Sequence, residues 1–147
     1  MQSVEALFDD YAAYHQTKGN KFFHRLGIPL IVLTMIAMLT WLKLFTVGTV
    51  TFDAAMVVIA LSSAYYFVME WRLAIAMTVV FIFFYFIGAA LPMAIAVGLF
   101  ILGWIFQFIG HKVYEHKDPA FFKNFVHVLI GPLWILNDVL PVVKQRS

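Results

Sequence analysis

Apolar runs far longer than any charged one organise this chain. Ile28 to Val47 is a 20-residue apolar run whose one charge, Lys43, lies near its end. Ala54 to Met69 follows, short and uncharged, and Leu73 to Ile109 then runs for 37 residues without an Asp, Glu, Lys, Arg or His. As one helix that last run would be about 55 Å long at 1.5 Å per residue, against a hydrocarbon core of about 30 Å. It must therefore fold back, and Gly88-Ala89-Ala90-Leu91-Pro92 is the natural turn because Pro92 cannot donate to a continuing helix. The pattern predicts membrane spans at 28–47, 54–69, 73–89 and 91–109.

Two further segments flank these spans. Over residues 3–18, Val4, Leu7, Phe8, Tyr11 and Tyr14-His15 recur at helical spacing, which predicts an amphipathic helix ended by Gly19-Asn20. Residues 125–143 are apolar but interrupted by Gly131-Pro132, with Asn137 and Asp138 near the end. A full crossing there would strand Lys144 and Arg146 outside, so this segment reads as a re-entrant or interfacial helix. The predicted fold is all-α: one membrane domain, 1–147, an integral bundle of about four transmembrane helices.

Composition supports lipid as the solvent. Of 147 residues, 63% are hydrophobic and 12% charged, where a soluble domain carries roughly 25% charged residues. So short a chain cannot hide that excess in a water-soluble core. The basic residues form no stripe, which argues against nucleic acid, and Met1-Gln2-Ser3-Val4-Glu5 lacks the apolar region of a signal peptide. With four crossings, Lys18, Lys21, Arg25, Arg72, Lys112, Lys117, Lys123, Lys144 and Arg146 share one side and Lys43 stands alone on the other. Positive residues concentrate on the cytoplasmic side, so both termini are expected there.

The five histidines, at 15, 24, 111, 116 and 127, all fall outside the predicted spans and on that same side. With no cysteine in the chain, a metal would be held by nitrogen and oxygen. His15 and His24, nine residues apart, would face opposite ways on one helix, but a break at Gly19-Asn20 lets both aim inward. His111 and Glu115, four apart, share one helical face. Histidine with a carboxylate suits iron, manganese or zinc. Interfacial residues with polar tips would account for the same histidines; His116 and His127 read that way, and Asp9 and Asp10 as a solvated face.

Two motifs favour the metal. Tyr14-His15, Asn20, His24 and Pro29 form a YHxxxxNxxxH-x4-P pattern, and Gly103-Trp104, Gln107-Phe108, Gly110-His111, Glu115 and Pro119-Ala120 a GWxxQFxGHxxxExxxPA pattern. Together they resemble the fungal 2-hydroxy fatty acid dioxygenase family of the endoplasmic reticulum and its bacterial relatives. The resemblance implies an Fe(II)-dependent enzyme of fatty acid α-oxidation, taking a long-chain 2-hydroxy acid and O2 to a chain one carbon shorter. Its motif residues here are His15, Asn20, His24, His111 and Glu115. Three histidines would hold Fe(II), with Glu115 a fourth ligand or an acceptor fixing a histidine tautomer, and Asn20 beside the cofactor. Lys21, Arg25 or Lys112 would meet the carboxylate. The expected location is a bacterial inner membrane, or the endoplasmic reticulum in a eukaryote, with the site on the cytoplasmic face. Two other classes stay open: a small haem or redox carrier, and a non-catalytic membrane scaffold.

Overall fold

The computed structural model describes residues 3–118 and 126–144. Met1-Gln2, Pro119-Ala120 of the second motif, Lys123, Phe125 and Arg146 lie outside the described residues. The element order is α1 (Val4–Ala13), α2 (Lys18–Thr40), β1 (Lys43–Val47), β2 (Val50–Asp53), α3 (Ala54–Met69), α4 (Trp71–Ala90), α5 (Met93–Phe108), a π-helical segment (Ile109–Glu115) and α6 (Val126–Val139). The chain forms two compact units, residues 1–29 with 102–147 and residues 30–101.

Among the described residues, three helical stretches have the length and apolar composition needed to cross a membrane: Lys18–Thr40, Trp71–Ala90 and Met93–Glu115. α3 and α6 are apolar but shorter; α3, at 16 residues, reaches about 24 Å. The fold-back between α4 and α5 falls at Leu91-Pro92, where Leu91 is the extended cap of α4.

In the unit formed by residues 30–101, α3 and α4 pack as a hairpin. Tyr66 stacks on Phe81 with ring centroids 6.1 Å apart, and Thr78 Oγ1 donates to Ser63 Oγ at 3.0 Å, the kind of polar contact that joins helices in lipid. Gly88 lies against Ala37, where a Cβ would come within 3.0 Å of backbone. Outward-facing Leu61, Val79, Phe83 and Phe86 are exposed, as a lipid-facing surface requires.

The predicted helix over 28–47 is corrected at its end. It stops at Thr40, and Lys43–Val47 pairs antiparallel with Val50–Asp53. The fold is thus mostly helical but not wholly so. Lys-Leu-Phe-Thr-Val and Val-Thr-Phe-Asp are rich in β-branched and aromatic residues, and Gly48 takes the positive φ of 61° that the tight turn demands. Asp53 closes the hairpin: it caps α3 through Met56 N–H at 3.1 Å, accepts from Tyr85 Oη at 2.8 Å and pairs with Lys43 at 3.4 Å.

In the other unit α1 buries Val4, Leu7, Phe8 and Tyr11, the stripe its periodicity predicts. These pack toward α6, where Tyr11 and Trp134 lie 5.2 Å apart. α6 runs unbroken through Gly131-Pro132, correcting the predicted interruption. Pro132 removes one backbone bond, while Gly131 makes room for Tyr11, whose Oη would sit 2.9 Å from a Cβ there.

Candidate metal centre

α1 ends at Ala13, with Tyr14 as its cap, and α2 begins at Lys18, so the break lies at residues 14–17. Gly19-Asn20, predicted to end the first helix, instead occupies the first turn of the second. The cause is Thr17, whose Oγ1 accepts from Asn20 N–H at 3.2 Å, the helix-capping geometry of Ser, Thr, Asp and Asn. His15 thus sits on a short connector, while α2 carries Asn20 and His24 on its first turns.

The third piece of the site is the π-helical segment, a rare geometry that recurs at functional sites. Gly110 allows it to lie close to α2: a Cβ there would come 2.7 Å from Asn20 Oδ1 and 3.1 Å from His24 Nδ1. His116 ends the segment in the left-handed region, φ 55°, and is exposed.

These pieces bring His15, His24 and His111 together. One ring nitrogen from each lies within 4.8 Å of the other two, and all three residues are buried. His24 Nε2 and His111 Nε2 are 3.1 Å apart. His15 Nδ1 is 2.6 Å from the Tyr11 carbonyl oxygen, and His24 Nδ1 is 3.0 Å from that of Asn20. A carbonyl only accepts, so each Nδ1 carries the proton and each Nε2 presents a lone pair. A metal-binding imidazole needs that tautomer, set by the bond its other nitrogen makes. His15 Nε2 and His111 Nδ1 have no hydrogen-bond partner among the described residues, and buried polar nitrogens are seldom left so. The donor set therefore fits a first-row metal ion.

Glu115 faces elsewhere. Its Oε1 accepts from Gln16 N–H at 2.9 Å; its Oε2 accepts from Thr17 N–H at 3.1 Å, Thr17 Oγ1 at 3.0 Å and Asn20 Nδ2 at 3.0 Å. The carboxylate ties the π-helical segment to the connector that carries His15. Asn20, fully buried, also donates to the Tyr14 carbonyl at 3.1 Å. Its Nδ2 is committed to this scaffold, while its Oδ1, beside Gly110, has no hydrogen-bond partner among the described residues.

Aromatic residues wall the imidazoles. Tyr11 stacks on His15 at 4.0 Å with 10° between the planes, and Trp134 lies 5.9 Å from it. His127 is buried in α6, its Nε2 2.7 Å from Asp10 Oδ2, a packing role outside the histidine group. Of the three predicted carboxylate partners, Arg25 pairs with Asp138 at 2.9 Å and Lys112 with Asp118. Sequence reasoning passed over Tyr11, Thr17 and Trp134 as site neighbours. Thr17 was findable as a cap three residues before Asn20; the aromatics had no local signal.

Burial pushes the His15 imidazole down to about 3 from 6.5. Between those values the unfolded chain binds the proton and the folded one does not, so stability rises with pH there. Chelator-treated protein in detergent is expected to keep its full His15 contribution above pH 6.5 and to lose up to about 1.4 kcal/mol per pH unit below it. Thermal melts from pH 8 to 4 measure this. A slope equal in wild type and His15→Asn contradicts it.

Over residues 1–142 the chain matches the family model described as 2-hydroxy-palmitic acid dioxygenase Mpo1-like. It is 48% identical over 44 residues to 2-hydroxy-palmitic acid dioxygenase MPO1 of Saccharomyces cerevisiae, a stretch covering 29% of this chain and 25% of the yeast protein. No solved structure matches it. With nearly its whole length under the family model, and both histidine-bearing ends inside the match, the chain belongs to the Mpo1-like family.

Proposed function

We propose that this protein is a membrane-embedded, Fe(II)-dependent dioxygenase that converts long-chain 2-hydroxy fatty acids and O2 to fatty acids one carbon shorter, the carboxyl carbon leaving as CO2 and the remaining oxygen as water. The observation that carries the reading is the group of three buried imidazoles, two of them held by backbone carbonyls with Nε2 as the lone pair. His15, His24 and His111 are the iron ligands in this reading. Bound Fe(II) would supply a Lewis-acidic centre for the 2-hydroxy carboxylate and the electrons needed to activate O2.

The protein's own groups do the rest. Glu115, Thr17 and Asn20 hold the connector so that His15 meets the other two rings. Tyr11 and Trp134 exclude water from one side of His15. Lys21, one turn before His24 on α2, is the remaining candidate for the substrate carboxylate, since Arg25 and Lys112 are engaged with Asp138 and Asp118. The acyl chain enters from the bilayer, where its apolar tail already resides. Four crossings, with α3 as the shortest, keep both ends and the histidines on the positively charged cytoplasmic side of a bacterial inner membrane or the endoplasmic reticulum. A haem carrier fits the geometry poorly: His24 and His111 are in hydrogen-bond contact, leaving no room for a porphyrin plane between them.

The test is mass spectrometry of acid products from detergent-solubilised protein given Fe(II) and 2-hydroxypalmitate. The expected product is the C15 acid, formed under air and absent under nitrogen. Equal turnover without O2, or equal turnover of palmitate, contradicts the assignment.

A further inference from the structure

Gln107 is a polar residue in an apolar helix, and nothing in the metal-binding scaffold uses it. It lies on α5 four residues before His111, so the two share a face, with Gln107 one turn further into the candidate span. Across from it on α2 is Gly27, three residues after His24. A Cβ on Gly27 would collide with Gln107 Nε2 and come 2.9 Å from the Gly103 carbonyl oxygen. Gln107 therefore occupies the seam between α2 and α5, one turn deeper than the His24–His111 contact.

The side chain is buried, at 5% exposure, and its Nε2 has no hydrogen-bond partner among the described residues. An unpaired amide in an apolar span lowers stability, and Leu or Met would fill the same volume without that cost. The donor is thus poised for an acceptor that arrives with a ligand.

We infer that Gln107 is a substrate-binding residue, whose carboxamide N–H donates to the hydroxyl oxygen on C2 of the bound acid. The inference rests on the proposed function and deepens it. Four residues along a helix span about 6 Å, the scale of a 2-hydroxy carboxylate group, and the seam lies on the side from which an acyl chain would come. A C2 hydroxyl oxygen accepts from the amide; the methylene at C2 of an unsubstituted acid cannot. Gln107 thereby contributes to choosing 2-hydroxy acids over plain ones.

Equilibrium binding of 2-hydroxypalmitate and palmitate under nitrogen, to full-length Fe(II)-loaded protein in detergent, tests this with no turnover involved. Wild type is expected to prefer the hydroxy acid. Gln107→Leu and Gln107→Met, which keep volume and remove the donor, are expected to lose about tenfold of that preference. Both should retain the metal and show an unchanged or higher Tm, because an unpaired amide is gone; a residue kept only for packing would not separate in this way. A variant that discriminates as well as a discriminating wild type overturns this inference alone. A wild type that binds both acids equally overturns the substrate assignment and the inference with it. Loss of fold in both variants assigns Gln107 to packing and overturns the inference.

Discussion

Replacing His15, His24 or His111 singly by Ala is expected to remove tight binding of one metal equivalent, with a loss of affinity above about 100-fold. Losing an outer partner alone typically costs 10–100-fold, and these substitutions delete the nitrogens themselves. The three rings come from three separate pieces of chain, with ligand atoms within 4.8 Å, so two remaining imidazoles cannot restore the set. His127→Ala is the matched control. Its Nε2 bonds to Asp10 at 2.7 Å, so its removal should lower stability by about 1–3 kcal/mol and leave the metal in place. Metal analysis after chelator competition, alongside thermal melts, separates the two behaviours. Retention of metal in all three single variants would discard the assignment.

Glu115→Gln is expected to weaken metal binding roughly 10–100-fold although Glu115 lies outside the group of ring nitrogens. Its two oxygens accept four bonds from Gln16, Thr17 and Asn20. A carboxamide has one acceptor oxygen, and its NH2 must then face an N–H in either orientation. The connector loosens, and His15 with it. Thr17→Val, which removes one of those bonds together with the cap bond to Asn20 N–H, should produce a smaller loss of the same kind. The double variant should show a smaller loss than the sum of the two, as expected for residues in one hydrogen-bond network. Unchanged metal affinity in both Glu115→Gln and Thr17→Val would overturn the positioning role.

The Glu115 case shows where local pattern stops. The HxxxE spacing was visible in the sequence and placed His111 and Glu115 on one face, yet it could not say what either met. Gln16 and Thr17 are about a hundred positions away along the chain, and a four-residue spacing carries no information on such partners. The close approach of the π-helical segment to α2 was equally hidden, because it depends on Gly110 meeting Asn20 across two helices. The same limit explains Gly19-Asn20. Gly and Asn commonly end helices, but here Thr17 caps the next one, and Gly19 admits the Tyr114 ring against it.

What the sequence determined by itself is what depends on local hydrophobicity and backbone chemistry. The apolar runs, the fold-back at Pro92, the α3 bounds and the buried stripe of α1 follow from burial periods and from a missing N–H. The histidine identities and their grouping by motif were also legible. The tertiary structure alone decided that Lys43–Asp53 pairs as a hairpin, that α6 continues through Pro132 and that Glu115 binds the connector. These outcomes turn on contacts between residues distant in sequence or on cross-strand pairing, whose energies compete with and override local propensity.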